Sequence, residues 1–273
     1  MNVTLLGDIA GRISEDSFEA DRVTAATVCV PTGATKSIRG QIPAHFPKWS
    51  EASNSHVELV VKLLLREALA ICVMSLNKTT TEWTTFWAEA AETHRRISNK
   101  ARGSVSVLKA ALMIKVALYG QCSTLAVAHS VKVGKLPRPA SQRQILHVRE
   151  SHIYDREIDG DENVQAFLEA WAARNQYQPL TNLLGVKLEA VSVHQLTEQA
   201  EPLLLLADYG AGIAHAVHSS ANTLSASAVT PDCARRAYAS LRTTSGYTEI
   251  AEDFNLRYYD IYAAFAPLAE NAP

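Results

Sequence analysis

Leu203-Leu204-Leu205-Leu206-Ala207-Asp208-Tyr209-Gly210-Ala211-Gly212-Ile213-Ala214-His215-Ala216-Val217-His218 sets one carboxylate in an apolar run of small residues. A carboxylate in such surroundings loses hydration, so it needs a cation, a set of hydrogen bonds or a proton. Pro202 opens a helix here, and Glu201 suits its positive end. At helical spacing Asp208, Ala211, Gly212 and His215 share one face. That face has almost no bulk beside Asp208, so another element can approach closely. Asp208 is read either as reaching a metal site from a buried helix or as standing at a solvated edge.

The elements before this helix set its context. Val3-Thr4-Leu5-Leu6 is a short apolar run ending at Gly7-Asp8, which predicts a strand covered on both faces with a carboxylate at its exit. Arg22 to Val30 predicts a second strand, antiparallel to the first, closed by Pro31-Thr32-Gly33. Residues 32–50 read as loop, with a short strand near Ile38. Val57, Val60, Val61, Leu64, Leu65 and Ala68 repeat at helical spacing, and Ser55-His56-Val57-Glu58 fits a capping box that begins that helix. The box gives Glu58 a structural task and leaves Glu51 the freer acid. Ala70 to Leu76 is a third strand. Residues 82–129 are helical by pattern, broken near 98–104, with Trp83, Phe86, Trp87 and Ala90 spaced as core. A fourth strand begins at Ile145 and leads into the acidic stretch Arg149–Asp161, which holds Glu150 and Asp155. Asp161-Glu162 opens a helix, and Val186 to Val193 alternates as a fifth strand. Thr230-Pro231 is a helix start, and the tyrosine-rich C-terminal part is read as further packing helices.

Composition narrows the class. Across 273 residues, 47% are hydrophobic and 20% charged, with a net charge of −2, as in an ordinary globular chain rather than a generally basic nucleic-acid coat. Cys29, Cys72, Cys122 and Cys233 stand singly in apolar surroundings, which reads as reduced thiols and a cytoplasmic location. The N-terminus has no secretory pattern, and Lys109 and Lys115 interrupt the most apolar helical segment, so no membrane partner is expected. No Gly-x-Ser-x-Gly elbow, Gly-x-x-x-x-Gly-Lys loop or Gly-x-Gly-x-x-Gly fingerprint occurs. His215 and His218, three residues apart, are read as a polar edge rather than as ligands. Basic residues cluster at Lys100 and Arg102, and again at Lys135 and Arg138, where they suit phosphate contacts.

Asp8 after the first strand, Glu51 or Glu58 near a helix start, Glu150 or Asp155 after a middle strand, and Asp208 on the late helix form a carboxylate set drawn from separate elements. Hard divalent cations take several oxygen ligands, and two such ions about 4 Å apart can hold a scissile phosphate and activate water. The order of elements is that of a ribonuclease H-like fold. The Asp8 strand and the Leu-Leu-Ala-Asp208-Tyr-Gly-Ala-Gly helix resemble the family called domain of unknown function 3800. The resemblance implies an α/β domain over residues 1–225, with a mixed five-stranded sheet flanked by helices, a helical insertion at about 82–130 and a C-terminal helical extension over 226–273. It further implies a metal-dependent nuclease or phosphodiesterase using Mg²⁺ or Mn²⁺. Asp8, Asp155 and Asp208 would be its ligands, and Glu51 would join them in catalysis. Lys100, Arg102, Lys135 and Arg138 would meet a nucleic-acid backbone. Ile9-Ala10-Gly11 follows Asp8 where the family reads Glu-Ser-Gly. That departure supports an alternative: a catalytically inactive ribonuclease H-like module that binds nucleic acid or protein.

Overall fold

Along the first strand Val3, Leu5 and Ile9 turn to one face and Leu6 to the other, as the two-residue period requires. The second strand divides likewise, Val23, Ala25 and Cys29 against Ala26, Val28 and Val30. Two apolar faces on one ladder demand a layer on each side, and the structure supplies both. The computed structural model describes residues 1–15, 21–100, 110–137, 145–155, 185–219 and 228–250.

β1 (Asn2–Ala10) pairs antiparallel with β2 (Arg22–Pro31), which pairs antiparallel with β3 (Ala70–Asn77). β4 (Leu146–Asp155) lies parallel to β1, and β5 (Val186–Leu196) parallel to β4. A sixth strand, β6 (Tyr247–Ile250), lies parallel to β3, so the mixed sheet has the order β5-β4-β1-β2-β3-β6. The expected sheet had five strands. The sixth falls in the stretch read as all-helical, where Tyr247-Thr248-Glu249-Ile250 pairs with Ile71 to Met74 along the outer edge of β3.

Other boundaries move as well. β1 continues past Asp8, because Ile9 and Ala10 pair with Ala25 and Thr24. Asp8 is thus inside the strand opposite Ala26, not at its exit. Gly11, at φ +84°, makes the turn; a Cβ there would sit 2.4 Å from the Arg22 carbonyl oxygen. The segment around Ile38 is a short helix, α1 (Thr35–Arg39), rather than a strand. α2 (Asn54–Glu67) is capped by Ser53 and His56, with the Ser53 N–H donating to His56 Nδ1 at 3.1 Å. The box therefore lies two residues earlier than Ser55 and does not use Glu58.

α2 packs on one face of the sheet with α5 (Leu204–His218) and α6 (Pro231–Arg242). The Thr230 hydroxyl accepts from the Cys233 N–H at 3.2 Å, as the sequence predicts for that cap. α3 (Thr81–Lys100) and α4 (Ala110–Lys132) cover the other face, with Trp83, Phe86 and Ala90 in the core. The helix expected after Asp161 and the chain beyond Ile250 lie outside the described residues. All four cysteines are free and buried. No described helix is long and apolar enough to cross a membrane.

Gly7, the residue before Asp8, lies over the stacked rings of Tyr119 and Tyr154, whose centroids are 4.4 Å apart. A Cβ on Gly7 would come within 2.6 Å of Tyr154 Cδ1 and 3.1 Å of Tyr119 Cδ1. Gly7→Ala is expected to destabilise the fold by about 1–3 kcal/mol, the usual scale of overpacking a core. Urea unfolding of the two proteins, compared by midpoint at equal slope, checks it.

Candidate metal centre

Three elements each deliver one acid to a common point. β1 carries Asp8 on the face that α5 covers. α5 carries Asp208 toward β1. The turn Thr197–Ala200, closed by the Ala200 N–H to the Thr197 carbonyl at 3.0 Å, carries Glu198 in from the end of β5. One carboxylate oxygen from each of Asp8, Glu198 and Asp208 lies within 4.8 Å of the others. A fourth acid, Asp155, ends β4. Gly7 stands beside Tyr154 in the parallel ladder, so the next step of that register sets Asp155 beside Asp8. Its charge reaches both Asp208 and Lys48.

Asp8, Asp155 and Glu198 are all less than a tenth exposed, so water screens them little. Two unit charges at the 4.8 Å limit repel by about 3.5 kcal/mol at an effective dielectric near 20. Several local contacts offset this. Asp8 Oδ1 accepts from the Ile9 N–H at 2.6 Å, and Asp208 Oδ2 accepts from the Trp49 N–H at 2.7 Å. The Lys48 ammonium pairs with Glu198 Oε1 at 2.7 Å. Burial works against the charge of Lys48, but the bond to Glu198 and the fields of Glu198, Asp155 and Asp208 outweigh it and hold its pKa above the ordinary lysine value. Glu198 Oε2 is buried with no hydrogen-bond partner among the described residues.

Lys48 and Trp49 belong to a segment strapped across α5. The Tyr209 hydroxyl donates to the Pro47 carbonyl at 3.0 Å, and Trp49 stands edge-on to the Tyr209 ring at 5.7 Å. Trp49 lies directly on Gly212, where a Cβ would fall 2.3 Å from its Cγ. The near-absence of bulk beside Asp208 thus admits an indole, and the main-chain N–H of the same Trp49 meets the carboxylate one turn earlier on α5.

Asp208 is pushed up to about 7 from its ordinary 3.8, chiefly by burial. The Trp49 amide and Lys48 oppose the rise, and the charges of Glu198 and Asp155 add to it.

The remaining sequence candidates fall elsewhere. Glu51 ends the turn Trp49–Glu51 with its side chain exposed, and Glu58 is exposed on α2; neither is in the acidic group. Glu150 and Asp155 are five residues apart on β4 and so face opposite sides of the sheet. Glu150 Oε2 bonds His152 Nε2 at 2.9 Å, His152 Nδ1 bonds the Tyr154 hydroxyl at 2.7 Å, and that hydroxyl bonds Ser123 Oγ at 3.1 Å. This buried chain ties β4 to α4. His215 Nδ1 bonds Thr24 Oγ1 at 3.2 Å, and His218 Nε2 bonds Glu249 Oε1 at 2.6 Å; both are engaged in polar packing, and neither is in the acidic group. Lys135 donates to the Ala68 carbonyl at 3.0 Å, capping the end of α2 where β3 begins, away from the acids. The Lys100 side chain, Arg102 and Arg138 lie outside the described residues. Sequence reasoning missed Glu198. Its signal was an acid in the short turn between the last predicted strand and the Asp208 helix.

Comparison with protein-family models gives no match for this chain, and comparison with curated proteins finds none similar to it.

Two outcomes follow from this geometry. A carboxyl whose pKa is raised on folding binds its proton more tightly folded than unfolded. Its contribution to stability is full below the unfolded value of 3.8 and is lost as pH rises toward about 7. Asp208→Asn keeps an acceptor for the Trp49 amide without that loss. In EDTA its melting temperature should exceed that of the unaltered protein at pH 8, with the gap closing as pH falls toward 4. Gly212→Ala should lift Trp49 from α5, read as a change in tryptophan emission and a stability loss of about 1–3 kcal/mol.

Proposed function

We propose that this protein is a Mg²⁺- or Mn²⁺-dependent nuclease or phosphodiesterase on a ribonuclease H-like fold. The fold reading is supported by the meander β1-β2-β3 with parallel β4 and β5 on the far side of β1, to which β6 is an addition. The single observation that carries the function is the convergence of Asp8, Glu198 and Asp208 to within 4.8 Å, with Asp155 alongside.

The donor set fits a hard divalent cation. Every donor is a carboxylate oxygen, and Glu198 has one oxygen, Oε2, that is buried with no hydrogen-bond partner among the described residues. Oxygens bound on opposite sides of an ion at 2.0–2.1 Å stand about 4 Å apart, so the group needs only small side-chain rotations to close on one. The bound ion supplies charge for a phosphoryl oxygen and lowers the pKa of a water. The chain's own residues do the rest. Asp8 and Asp208 hold the centre from two rigid elements, and burial under α5 limits bulk water. The Trp49 amide fixes the Asp208 carboxylate through Oδ2 at 2.7 Å. Asp155 adds negative charge at the edge of the cluster, where it can accept a proton or join as a ligand. Nucleic acid is the proposed substrate class, since a phosphodiester is the group such a centre suits.

A second reading, a module of this fold that binds without cleaving, is favoured by Ile9 in the position after Asp8, where an apolar side chain stands in place of a further acid.

Labelled RNA and DNA incubated with Mn²⁺ test the enzyme reading. Asp8→Asn and Asp208→Asn should each lower the cleavage rate by at least about a hundredfold, the scale of a few kcal/mol of lost transition-state stabilisation. Glu198→Gln should also slow it. Equal rates for all four proteins would exclude the centre from the chemistry; no cleavage by the unaltered protein, with Mn²⁺ still bound, would favour the second reading.

A further inference from the structure

Lys48 is the feature of this centre that the acids alone do not account for. We propose that its ammonium is a resident counter-cation: it holds the place of a divalent ion in the ion-free protein and leaves Glu198 when an ion enters, so that ion uptake is an exchange of cations. The inference rests on the carboxylate centre binding a divalent ion, as proposed above.

Three observations carry it. First, Glu198 is divided: Oε1 is held by Lys48 at 2.7 Å, while Oε2 is buried with no hydrogen-bond partner among the described residues. A divalent ion drawn to Oε2 would lie across one carboxylate from the ammonium on Oε1, and two cations so close repel strongly. Second, the freedom to move lies in the side chain alone. The backbone around Lys48 is pinned by Trp49 on Gly212 and by the Tyr209 hydroxyl on the Pro47 carbonyl. The Lys48 side chain is 52% exposed, against 6% for its partner Glu198, so the ammonium can swing into water while its backbone stays in place. Third, the residue type suits exchange. A lysine is a compact charge on a flexible stem with rotatable donors, whereas an arginine fork would hold the carboxylate in a fixed two-point grip. Arg39 shows that grip nearby, bonding Glu201 through Nε at 3.0 Å and Nη2 at 2.6 Å.

The rival description is a surface ion pair of little energetic worth, made by a rim lysine that happens to reach an acid. The two descriptions differ in how the lysine affects the ion.

Mn²⁺ alone is titrated by calorimetry at pH 8 into the unaltered protein, Lys48→Gln and Asp208→Asn, and each is also melted in EDTA and in saturating Mn²⁺. The expected result is that Lys48→Gln binds Mn²⁺ at least about tenfold more tightly, because the competing charge is gone. It should also melt below the unaltered protein in EDTA, where the acids have lost their counter-charge, with Mn²⁺ closing that gap. Asp208→Asn should bind weakly or not at all. Equal Mn²⁺ affinity in the unaltered protein and Lys48→Gln overturns the exchange and leaves the metal centre standing. Weaker binding in Lys48→Gln also overturns it and makes Lys48 a support for the ligands. No Mn²⁺ binding in any of the three removes the metal centre, and the exchange with it.

Discussion

Close packing against the small-residue face of α5 is the constraint on which this molecule turns. α5 lies against β1 and β2 on one side, and at Gly210 even an added Cβ would only just touch the Ala26 methyl, at 3.6 Å. On another side Trp49 takes the space that a side chain on Gly212 would fill. Larger residues at either place would hold the helix away from the sheet or lift the strap from the helix. The reach of an aspartate is short, so a displacement of the order of one methylene would separate Asp208 from Asp8 or from the Trp49 amide. Interiors packed to crystal-like density transmit such changes rather than absorb them.

The same packing creates the electrostatic problem. Asp8, Asp155 and Glu198 are buried, and Asp208 is desolvated enough to raise its pKa. A core built for stability alone would replace such a group with apolar side chains, since burying like charges opposes folding. Their presence together, with Lys48 and the Ile9 and Trp49 amides among the groups that compensate them, is what motivates the proposed cation site.

β4 supplies an internal contrast. Glu150 and Asp155 belong to one strand and are both buried. Glu150 faces α4 and is bonded to His152, which continues through Tyr154 to Ser123. Hydrogen bonds there link one side chain to the next, and the chain holds two layers together. Asp155 faces the other layer, where its charge acts on both Asp208 and Lys48. Two acids of similar burial thus have different tasks, and the difference comes from the side of the sheet each one faces.

Much of the architecture was legible in the amino-acid order because it follows from local periodicity. Alternation in Val186 to Val193, the continuous apolar runs of β1, β2 and β3, the helical spacing from Val57 to Ala68 and the Thr230-Pro231 cap each identify an element without reference to the rest of the chain. The special character of Asp208 was legible too, since a carboxylate among leucines, alanines and glycines conflicts with its surroundings in any fold. What lay beyond the sequence was decided by contacts between distant segments. β6 exists because the outer edge of β3 offers it a ladder. β1 continues past Asp8 because β2 continues opposite it. That Asp155 rather than Glu150 lies on the face of α5 depends on strand parity counted from a register that only pairing with β1 defines. Glu198 enters the cluster because a short turn after β5 folds back toward α5, and Glu51 stays out because its turn exposes it. Periodicity is a property of neighbours along the chain, whereas the meeting of acids depends on the direction each side chain takes once sheet, helix and strap are packed, and that direction is settled only in three dimensions.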